Sequence, residues 1–301
     1  MSVSRAKKPF IYAGCVVLAC VAAILIASPV FGRSSAVTLV GAGDIAACDS
    51  ETKDGATAKL LGNIPGTVYT LGDNVYPDGT AAQFRNCYDP TWGKYKKRTK
   101  PTAGNHDYYT NNAAPYYDYF GARAGSPRRG YYSYDRGAWH VVALNSNCDK
   151  VGGCGVGSRQ GQWLRNDLAK SDAKCTLAYF HDPLFSSGQG TESTKVKPFW
   201  EILYNHDAEV ILVGHAHSYE RFAPQTPGGN RNSENGIRQF VVGTGGRPPE
   251  KEFGPTAPNS QVKNDNTPGV LKLTLKADSY EWKFVHIAGK NFTDSGGDGC
   301  H

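Results

Sequence analysis

The stretch that decides the fold is Gly72-Asp73-Asn74-Val75-Tyr76, which directly follows a run of β-branched and aromatic residues at positions 67–71. That run predicts a buried strand with Asp73 at its carboxyl end. Open α/β sheets bind their ligands at this end of their strands. A Gly-Asp pair after a strand is more often an ordinary turn. A functional interpretation of Asp73 therefore needs support from other motifs in the chain.

The same arrangement occurs at other places in the chain. Each of them follows a predicted strand or apolar run and offers side chains of a metal-ligating type: Gly43-Asp44, Gly104-Asn105-His106-Asp107, His181 and Gly214-His215-Ala216-His217. Asp, Asn, His and Tyr are hard or borderline ligands that suit iron, manganese or zinc. A single histidine is more often structural, but such groups at several independent strand ends are improbable by chance. The sequence therefore predicts a metal site at the carboxyl ends of the strands.

The order of the elements predicts an α/β fold. A strand at 37–40, a helix at 54–61 and the strand at 67–71 form a βαβ opening, which places two acidic strand ends side by side. Later in the chain we predict hairpins at 131–144 and 270–287, and long loops at 108–129 and 248–268. The first of these loops is either a plain surface loop or the rim of a pocket, since long ordered loops are often functional. The whole pattern predicts a two-sheet β-sandwich flanked by helices.

The first 35 residues differ from the rest. Arg5, Lys7 and Lys8 precede an almost uninterrupted apolar run at 10–31, which is long enough to span a bilayer. We interpret residues 1–35 as a cleaved signal peptide in preference to a retained N-terminal membrane anchor, which remains the alternative. Residues 36–301 then form one domain, and the protein is predicted to be secreted or otherwise extracytoplasmic.

The net charge does not indicate a nucleic-acid or membrane partner. The chain carries +6, but Arg5, Lys7, Lys8 and Arg33 contribute four of these charges, which leaves about +2 on residues 36–301. Such a small excess does not predict binding to nucleic acid or to an anionic membrane. Contact with a membrane is expected only through the N-terminal segment, if that segment is retained.

The cysteines indicate an oxidising compartment. Six of them lie beyond the leader, namely Cys48, Cys87, Cys148, Cys154, Cys175 and Cys300. An even number in an exported chain predicts disulfides. Among about 15 possible connectivities, we favour Cys148–Cys154 across a glycine-rich loop, Cys48–Cys87 and Cys175–Cys300. None of the six has the Cys-x-x-Cys spacing of a zinc–thiolate site.

The ordered set of motifs resembles the calcineurin-like metallophosphoesterases. Tyr76, three residues after Asp73, makes the chain most similar to the purple acid phosphatases, and the run Gly-His-Ala-His-Ser-Tyr-Glu-Arg at 214–221 is similar to the plant-type enzymes. The resemblance covers residue 37 to about residue 287. It implies a four-layer αββα fold and hydrolysis of phosphate esters by metal-bound hydroxide, without a phospho-enzyme. The N-terminal β domain of the plant-type enzymes is not expected, because too few residues precede position 37.

The resemblance also implies two metal ions, a ferric ion and a divalent ion such as iron, zinc or manganese. The ligands would be Asp44, Tyr76 and His217 for the first metal, Asp73 as the bridge, and Asn105, His181 and His215 for the second. Two positions depart from the family pattern without removing a ligand. Ala46 replaces the second glycine of Gly-Asp-x-Gly, and Ala178 replaces the valine of Val-x-x-His.

Charge favours the ferric ion over a second divalent one. With two divalent ions, the charges of Asp44, Asp73, a tyrosinate at position 76 and a hydroxide would cancel, which is unfavourable for a phosphate dianion. With one ferric ion a net positive charge remains. A tyrosinate therefore makes most sense beside a trivalent ion.

Two further residues are implied to be catalytic without being ligands. His106 would face the substrate and stabilise or protonate the leaving oxygen, with Asp107 orienting its ring. Tyr108, Tyr109 and Arg221 are weaker candidates for the lining of a substrate pocket. Structural roles are predicted for His140, His206 and His286.

We therefore predict a metal-dependent phosphomonoesterase of the acid-phosphatase type, acting on a small phosphorylated substrate. Within enzymes, the alternative is a phosphodiesterase or nucleotidase on the same scaffold, since the leaving-group contacts lie in loops. Outside enzymes, the alternative is an exported binding protein whose metals only brace the fold. His106, which is not a ligand, argues against that alternative, because a metal site that only braces the fold does not need a non-ligating histidine beside the metals.

Overall fold

The computed structural model describes residues 36–126, 129–248 and 253–301. The predicted signal peptide or anchor at 1–35 lies outside these ranges. Within them, none of the helices combines the length and the apolar character that crossing a bilayer requires.

The strands are short and are distributed along the whole described chain. In order they are β1 (Val37–Ala42), β2 (Ala46–Ala47), β3 (Thr67–Leu71), β4 (Val75–Tyr76), β5 (Thr99–Thr102), β6 (Tyr132–Arg136), β7 (Trp139–Ala143), β8 (Cys175–Tyr179), β9 (Val210–Val213), β10 (Tyr219–Phe222), β11 (Arg238–Val242), β12 (Ser260–Asn264), β13 (Gly269–Leu275), β14 (Ser279–His286) and β15 (Ser295–Gly299). The α-helices are α1 (Asp54–Asn63), α2 (Ala81–Gln83), α3 (Ala114–Phe120), α4 (Arg159–Leu168) and α5 (Lys197–Tyr204).

Two mixed sheets dominate the fold. The first contains six strands in the order β15-β14-β13-β1-β3-β5, and the second contains seven in the order β12-β10-β11-β9-β8-β7-β6. Strands β1, β3 and β5 run parallel to one another, as do β7, β8, β9 and β11. The carboxyl ends of these parallel strands therefore form a common edge in each sheet.

The second sheet lies between two hydrophobic cores, and successive side chains along its strands contribute alternately to each. Leu177 and Leu212 pack in a core that they share with residues of the first sheet, such as Leu39 and Val68. Their chain neighbours pack in a second core with apolar residues of α4 and α5, which include Leu164 and Leu203. Because strand residues alternate between the two faces of a sheet, this pattern places one sheet face against the other sheet and the opposite face against helices. The predicted two-sheet sandwich flanked by helices is confirmed.

The predicted hairpins are confirmed, whereas the two predicted long loops are wrong in part. Residues 108–129 contain α3 and short 3-10 turns instead of an irregular loop, and Tyr116 and Phe120 are buried. Residues 248–268 contain β12, which pairs with β10. In both stretches, contacts with distant parts of the chain stabilise elements that local composition does not favour.

The three predicted disulfides are present. They join Cys48 to Cys87, Cys148 to Cys154, and Cys175 to Cys300. The second closes a loop with a sequence separation of 6, whereas the third spans a separation of 125 and connects β8 to the residue after β15. The last pair therefore attaches the C-terminal edge of the first sheet to the second sheet.

A buried carboxyl next to this last disulfide predicts a pH-dependent stability. Glu209 is 2% exposed, and its Oε2 accepts a hydrogen bond from the Thr176 amide at 2.6 Å. Burial raises the pKa of Glu209 to about 8. An acid whose pKa is raised in the folded state keeps its proton there while the unfolded state ionises, so stability should fall as the pH rises from about 5 to about 8.

We therefore expect Glu209→Gln to be more stabilising at pH 9 than at pH 5, by about 4 kcal/mol in the free energy of unfolding. Chemical denaturation at the two pH values measures this difference. Glu281→Gln, on the exposed face of β14, serves as the matched control. An equal effect of Glu209→Gln at both pH values would contradict the expectation.

Candidate metal centre

The predicted ligands lie where the parallel strands of both sheets end. In the first sheet, Asp44 follows β1 by two residues, Asp73 follows β3 by two, and Asn105 follows β5 by three. In the second sheet, His181 follows β8 and His215 follows β9, each by two residues. The parallel direction of the strands therefore brings side chains from distant parts of the sequence to one place. This explains why the predicted ligands are so widely spaced along the chain.

The backbone at three of these positions adopts a conformation that side chains disfavour. The φ angles of Asp44, Asp73 and His215 are 58°, 47° and 69°. Non-glycine residues rarely adopt such values, and they concentrate at functional sites when they do. Gly104 permits the turn around Asp73, because a Cβ there would lie 2.1 Å from Asp73 Oδ1. The glycines of the motifs thus make room for the carboxylates.

One group of donor atoms surrounds the hydroxyl of Tyr76. This oxygen lies 2.8 Å from Asp44 Oδ1, 3.0 Å from Asp73 Oδ2 and 3.0 Å from His217 Nε2. The ring nitrogen of His217 is also 3.3 Å from Asp44 Oδ1. Four side chains therefore direct ligand atoms at a common point. They come from three separate motifs, because Asp73 and Tyr76 share one.

A second group surrounds Nε2 of His181. This nitrogen lies 3.0 Å from Asn105 Oδ1, 3.3 Å from Asp73 Oδ2 and 3.2 Å from His215 Nδ1. Asp73 Oδ2 is thus common to both groups. All seven predicted ligands belong to one or both groups, so the structure brings the whole predicted set together.

The hydrogen bonds of two histidines suit a cation between these groups. Nδ1 of His181 lies 2.7 Å from the Leu71 carbonyl, and Nδ1 of His217 lies 2.8 Å from the Pro248 carbonyl. A carbonyl only accepts, so each Nδ1 carries a proton, and in the neutral ring Nε2 presents a lone pair. Each lone pair then faces oxygen atoms of Asp73, Asp44 or Asn105, which are themselves acceptors. A bound cation would satisfy these facing acceptors, and without one a proton on the ring nitrogen takes that place.

The ionisation of the site indicates the same need for positive charge. Burial raises the pKa of Asp73, but His181 and His106 outweigh burial and hold that pKa well below its usual range. Burial lowers the pKa of His181, whereas Asp73 and Asp44 raise it well above its ordinary value. Burial, Asp44 and Asp73 together raise the pKa of Tyr76. The phenol therefore keeps its proton unless a strongly charged cation displaces it.

Comparison with known proteins agrees with this geometry. A sequence model of the calcineurin-like phosphoesterase family matches residues 41–219, which include all seven predicted ligands. The chain belongs to the calcineurin-like phosphoesterase family. Its family motifs are therefore the strand ends described above.

Among the relatives of this calcineurin-like phosphoesterase are plant purple acid phosphatases. It is 35% identical to "Probable purple acid phosphatase 20" of Arabidopsis thaliana over 108 residues, which cover 33% of this chain and 24% of the relative. It is 32% identical to "Purple acid phosphatase 22" of the same organism over 122 residues, covering 38% and 27%. The matched segment thus spans about a quarter of those relatives' lengths.

A solved structure supports the fold. The purple acid phosphatase isolated from yellow lupin (Lupinus luteus) seeds matches with a TM-score of 0.74 at 20% sequence identity. The match covers 88% of this chain and 54% of that one. The similarity confirms the four-layer fold of the phosphoesterase.

His106 lies beside the donor groups without joining them. Its Nδ1 is 2.6 Å from the Pro77 carbonyl, and its Nε2 is 3.9 Å from Asp73 Oδ2. Its ring packs against Tyr76, with 4.4 Å between ring centroids. The proton on Nδ1 is therefore fixed, and Nε2 is the ring nitrogen nearer to the centre.

Asp107 does not orient His106 as the sequence predicted. The Pro77 carbonyl has that role, while Asp107 Oδ2 accepts hydrogen bonds from the Gly104 amide at 2.9 Å and from Asn74 Nδ2 at 2.9 Å. Burial, followed by the charge of Asp73, raises the pKa of Asp107 to about 7. This carboxyl braces the loops that carry the ligands instead of contacting the His106 ring.

Of the weaker candidates, only Tyr109 is exposed beside the centre. Tyr108 is buried and bonded to Tyr117 and Asn145. Arg221 lies away from the site in an ion pair with Asp294, 2.7 Å between Nε and Oδ2. His140 lies between Asp135 and Asp167, at 2.8 Å and 2.9 Å, which agrees with the structural role predicted for it.

Sequence reasoning missed Arg247. Its guanidinium carbon lies 5.2 Å from the centroid of the Tyr76 ring, and its Nη1 is 2.8 Å from Asp49 Oδ2. A cation over an aromatic face is attracted to it, and this cation lies beside a predicted ligand. Only its position five residues after the end of β11 could have indicated this, and that signal is weak.

Grooves open beside the centre on several sides. One is lined by Gly188, Thr191 and Phe253 beside His215, one by Lys53, Arg247 and Lys290 beside His217, and one by Tyr109, Asn147 and Lys195 beside Asn105. A substrate whose phosphate binds at the centre can therefore extend in more than one direction.

Proposed function

We propose that this chain is an exported phosphomonoesterase of the acid-phosphatase type that works with two metal ions. The observation that carries the proposal is the pair of donor groups that share Asp73 Oδ2. Asp44, Tyr76, His217 and Asp73 would hold one ion, and Asp73, Asn105, His181 and His215 the other. When bound, such a pair supplies an activated water and neutralises negative charge on the phosphate.

The residues of the chain supply the remaining chemistry. Leu71 and Pro248 fix the protons on Nδ1 of His181 and His217, so that Nε2 of each ring is free of a proton for coordination. Pro77 likewise fixes the proton on Nδ1 of His106. Nε2 of His106 is then the ring nitrogen through which a proton can pass to the leaving oxygen as the ester bond breaks. Asp107 keeps the loops of Asn74 and Gly104 in place.

Export is supported by the disulfides and by the predicted leader. Three disulfides within residues 36–301 suit an oxidising compartment. We propose that residues 1–35 are removed as a signal peptide and that residues 36–301 are the mature domain. The protein would then encounter small phosphorylated substrates outside the cytoplasm.

Hydrolysis of matched model esters tests the proposed function. Protein loaded with iron and zinc or manganese is expected to hydrolyse nitrophenyl phosphate with a higher kcat/KM than bis-nitrophenyl phosphate. Preference for the bis-ester would replace the monoesterase by a phosphodiesterase. Absence of turnover with two equivalents of metal bound would favour a metal-braced binding protein instead.

Tyr76→Phe tests the proposal that one ion is ferric. We expect the iron-loaded protein to show a visible charge-transfer band, because a phenolate oxygen donates charge to ferric iron. Tyr76→Phe lacks that oxygen and should lose the whole band, as measured by absorption spectroscopy. Tyr204→Phe, at the end of α5, is the matched control. A colourless and fully active enzyme that contains only zinc or manganese would contradict the assignment of iron.

A further inference from the structure

We propose that Tyr109 selects phosphate esters whose leaving group has a flat aromatic face, such as an aryl alcohol or a nucleoside. The inference rests on the proposed function and deepens it, since it concerns the substrate class of the same site. It assigns a binding role to a side chain that is neither a proposed ligand nor the proposed proton donor.

The exposure of Tyr109 is unusual for its position. Among the described residues, the large apolar or aromatic side chains that stand out as exposed are Tyr109, at 60%, and Val156, at 45%. Most of the other tyrosines around the centre, such as Tyr76 and Tyr108, are buried. An exposed aromatic ring next to a concave polar site is more typical of a binding surface than of a packing residue.

Contacts to two site residues place the ring. Its centroid lies 4.6 Å from that of His106, with 51° between the ring planes. Its hydroxyl lies 3.4 Å from Asn105 Nδ2, which leaves Asn105 Oδ1 directed at His181. Tyr109 is therefore attached to the centre at one edge, while more than half of its surface remains in contact with solvent.

The direction of the leaving group follows from the position of His106. A residue that protonates the leaving oxygen must be within hydrogen-bond reach of it, so the leaving group lies on the His106 side of the phosphate. The ring of Tyr109 contacts that of His106 and lines a groove together with Asn105, Asn147, Lys150, Asp182 and Lys195. A leaving group in this groove passes the exposed ring.

The charges of this groove do not favour a second anionic group. Lys150 and Lys195 are offset by Asp149 and Asp182, and Lys195 is already paired with Asp149 at 3.1 Å. A flat π-system, by contrast, gains free energy by stacking on an exposed tyrosine. The groove is therefore suited to a neutral leaving group with an aromatic face.

The experiment compares kcat/KM for phenyl phosphate, adenosine monophosphate and glycerol phosphate across variants of the metal-loaded enzyme. Each variant's aromatic-to-glycerol ratio is divided by that of the wild type, so intrinsic differences between the leaving groups cancel. We expect Tyr109→Leu to lower this ratio about 10-fold and Tyr109→Phe to retain it, because only the second keeps the ring. Val156→Ala, at the other exposed apolar side chain, is the matched control.

The direction of the change separates binding from positioning. If Tyr109 only positioned His106, Tyr109→Leu would affect glycerol phosphate and adenosine monophosphate more than phenyl phosphate, because their alkyl alcohols are poorer leaving groups and depend more on the acid. An unchanged or increased ratio would therefore overturn the proposal. A fall for phenyl phosphate alone assigns the groove to aryl esters, and a fall for both aromatic substrates includes nucleotides. No turnover of any ester would overturn the proposed function and this inference with it.

Discussion

Asp73→Asn is expected to lower kcat/KM for a phosphomonoester by about 10³-fold or more and to reduce the bound metal from two equivalents to one or fewer. Asp73 Oδ2 is the atom common to both donor groups, 3.0 Å from the Tyr76 oxygen and 3.3 Å from His181 Nε2. An amide in its place lacks the negative charge that balances two cations. A loss of about 4 kcal/mol of transition-state stabilisation corresponds to that factor.

Metal analysis by mass spectrometry and steady-state kinetics on the same preparation measure both effects. Asp135→Asn is the matched control. Its carboxylate is exposed, forms an ion pair with His140 and belongs to neither donor group. The isosteric change should preserve the fold, which circular dichroism verifies. Full metal content together with full activity in Asp73→Asn would contradict the two-ion proposal.

His106→Ala is expected to lower kcat for an alkyl phosphate by about 10²–10⁴-fold while both metals remain bound. The reason is that His106 approaches Asp73 only to 3.9 Å and has its Nδ1 fixed by a backbone carbonyl, which suits a proton donor and not a ligand. The loss should be much smaller for nitrophenyl phosphate, because nitrophenolate leaves without needing a proton.

A plot of log kcat against the pKa of the leaving alcohol measures this dependence. The slope should become steeper in His106→Ala than in the wild type. His286→Ala, at the end of β14 and outside both donor groups, is the matched control. Equal losses for good and poor leaving groups would assign His106 to electrostatic stabilisation of the phosphate, and loss of metal would assign it to the ligand set.

The strand-end motifs could be predicted from the sequence because their information is local. A short apolar run followed by Gly-Asp, as at Asp73, or by His, as at His181, specifies a strand and its terminal side chain within a few residues. Parallel strand polarity then brings such ends together without further information. Among the disulfides, Cys148–Cys154 has a similarly local basis, because its sequence separation is 6.

The helical region at 106–124 could not be predicted, because its stability is not local. Its sequence is rich in Tyr, Asn, Gly and Pro, which predicts a loop. In the structure Phe120 packs on Phe84 and Tyr88, at centroid distances of 6.0 Å and 5.6 Å. Burial of these rings against a distant segment stabilises a short helix that would not form alone.

Strand β15 and the role of Asp107 could not be predicted for comparable reasons. Strand β15, Ser295–Gly299, is glycine-rich and exposed, and only its pairing with β14 makes it a strand. The role of Asp107 was assigned wrongly because the atom that fixes the His106 ring is the Pro77 carbonyl. Every residue has a backbone carbonyl, so the sequence does not reveal which one a side chain will reach.

The distribution of the donor residues over both sheets has a mechanical consequence. Asp44, Asp73 and Asn105 come from the first sheet, whereas His181 and His215 come from the second. The proposed ions, held between them, would act as cross-links between the two halves of the sandwich. Ligand binding confined to the native state raises the free energy of unfolding, so the same ions that serve turnover would also resist separation of the layers. Stability outside the cell and catalytic activity would then both depend on the same bound ions.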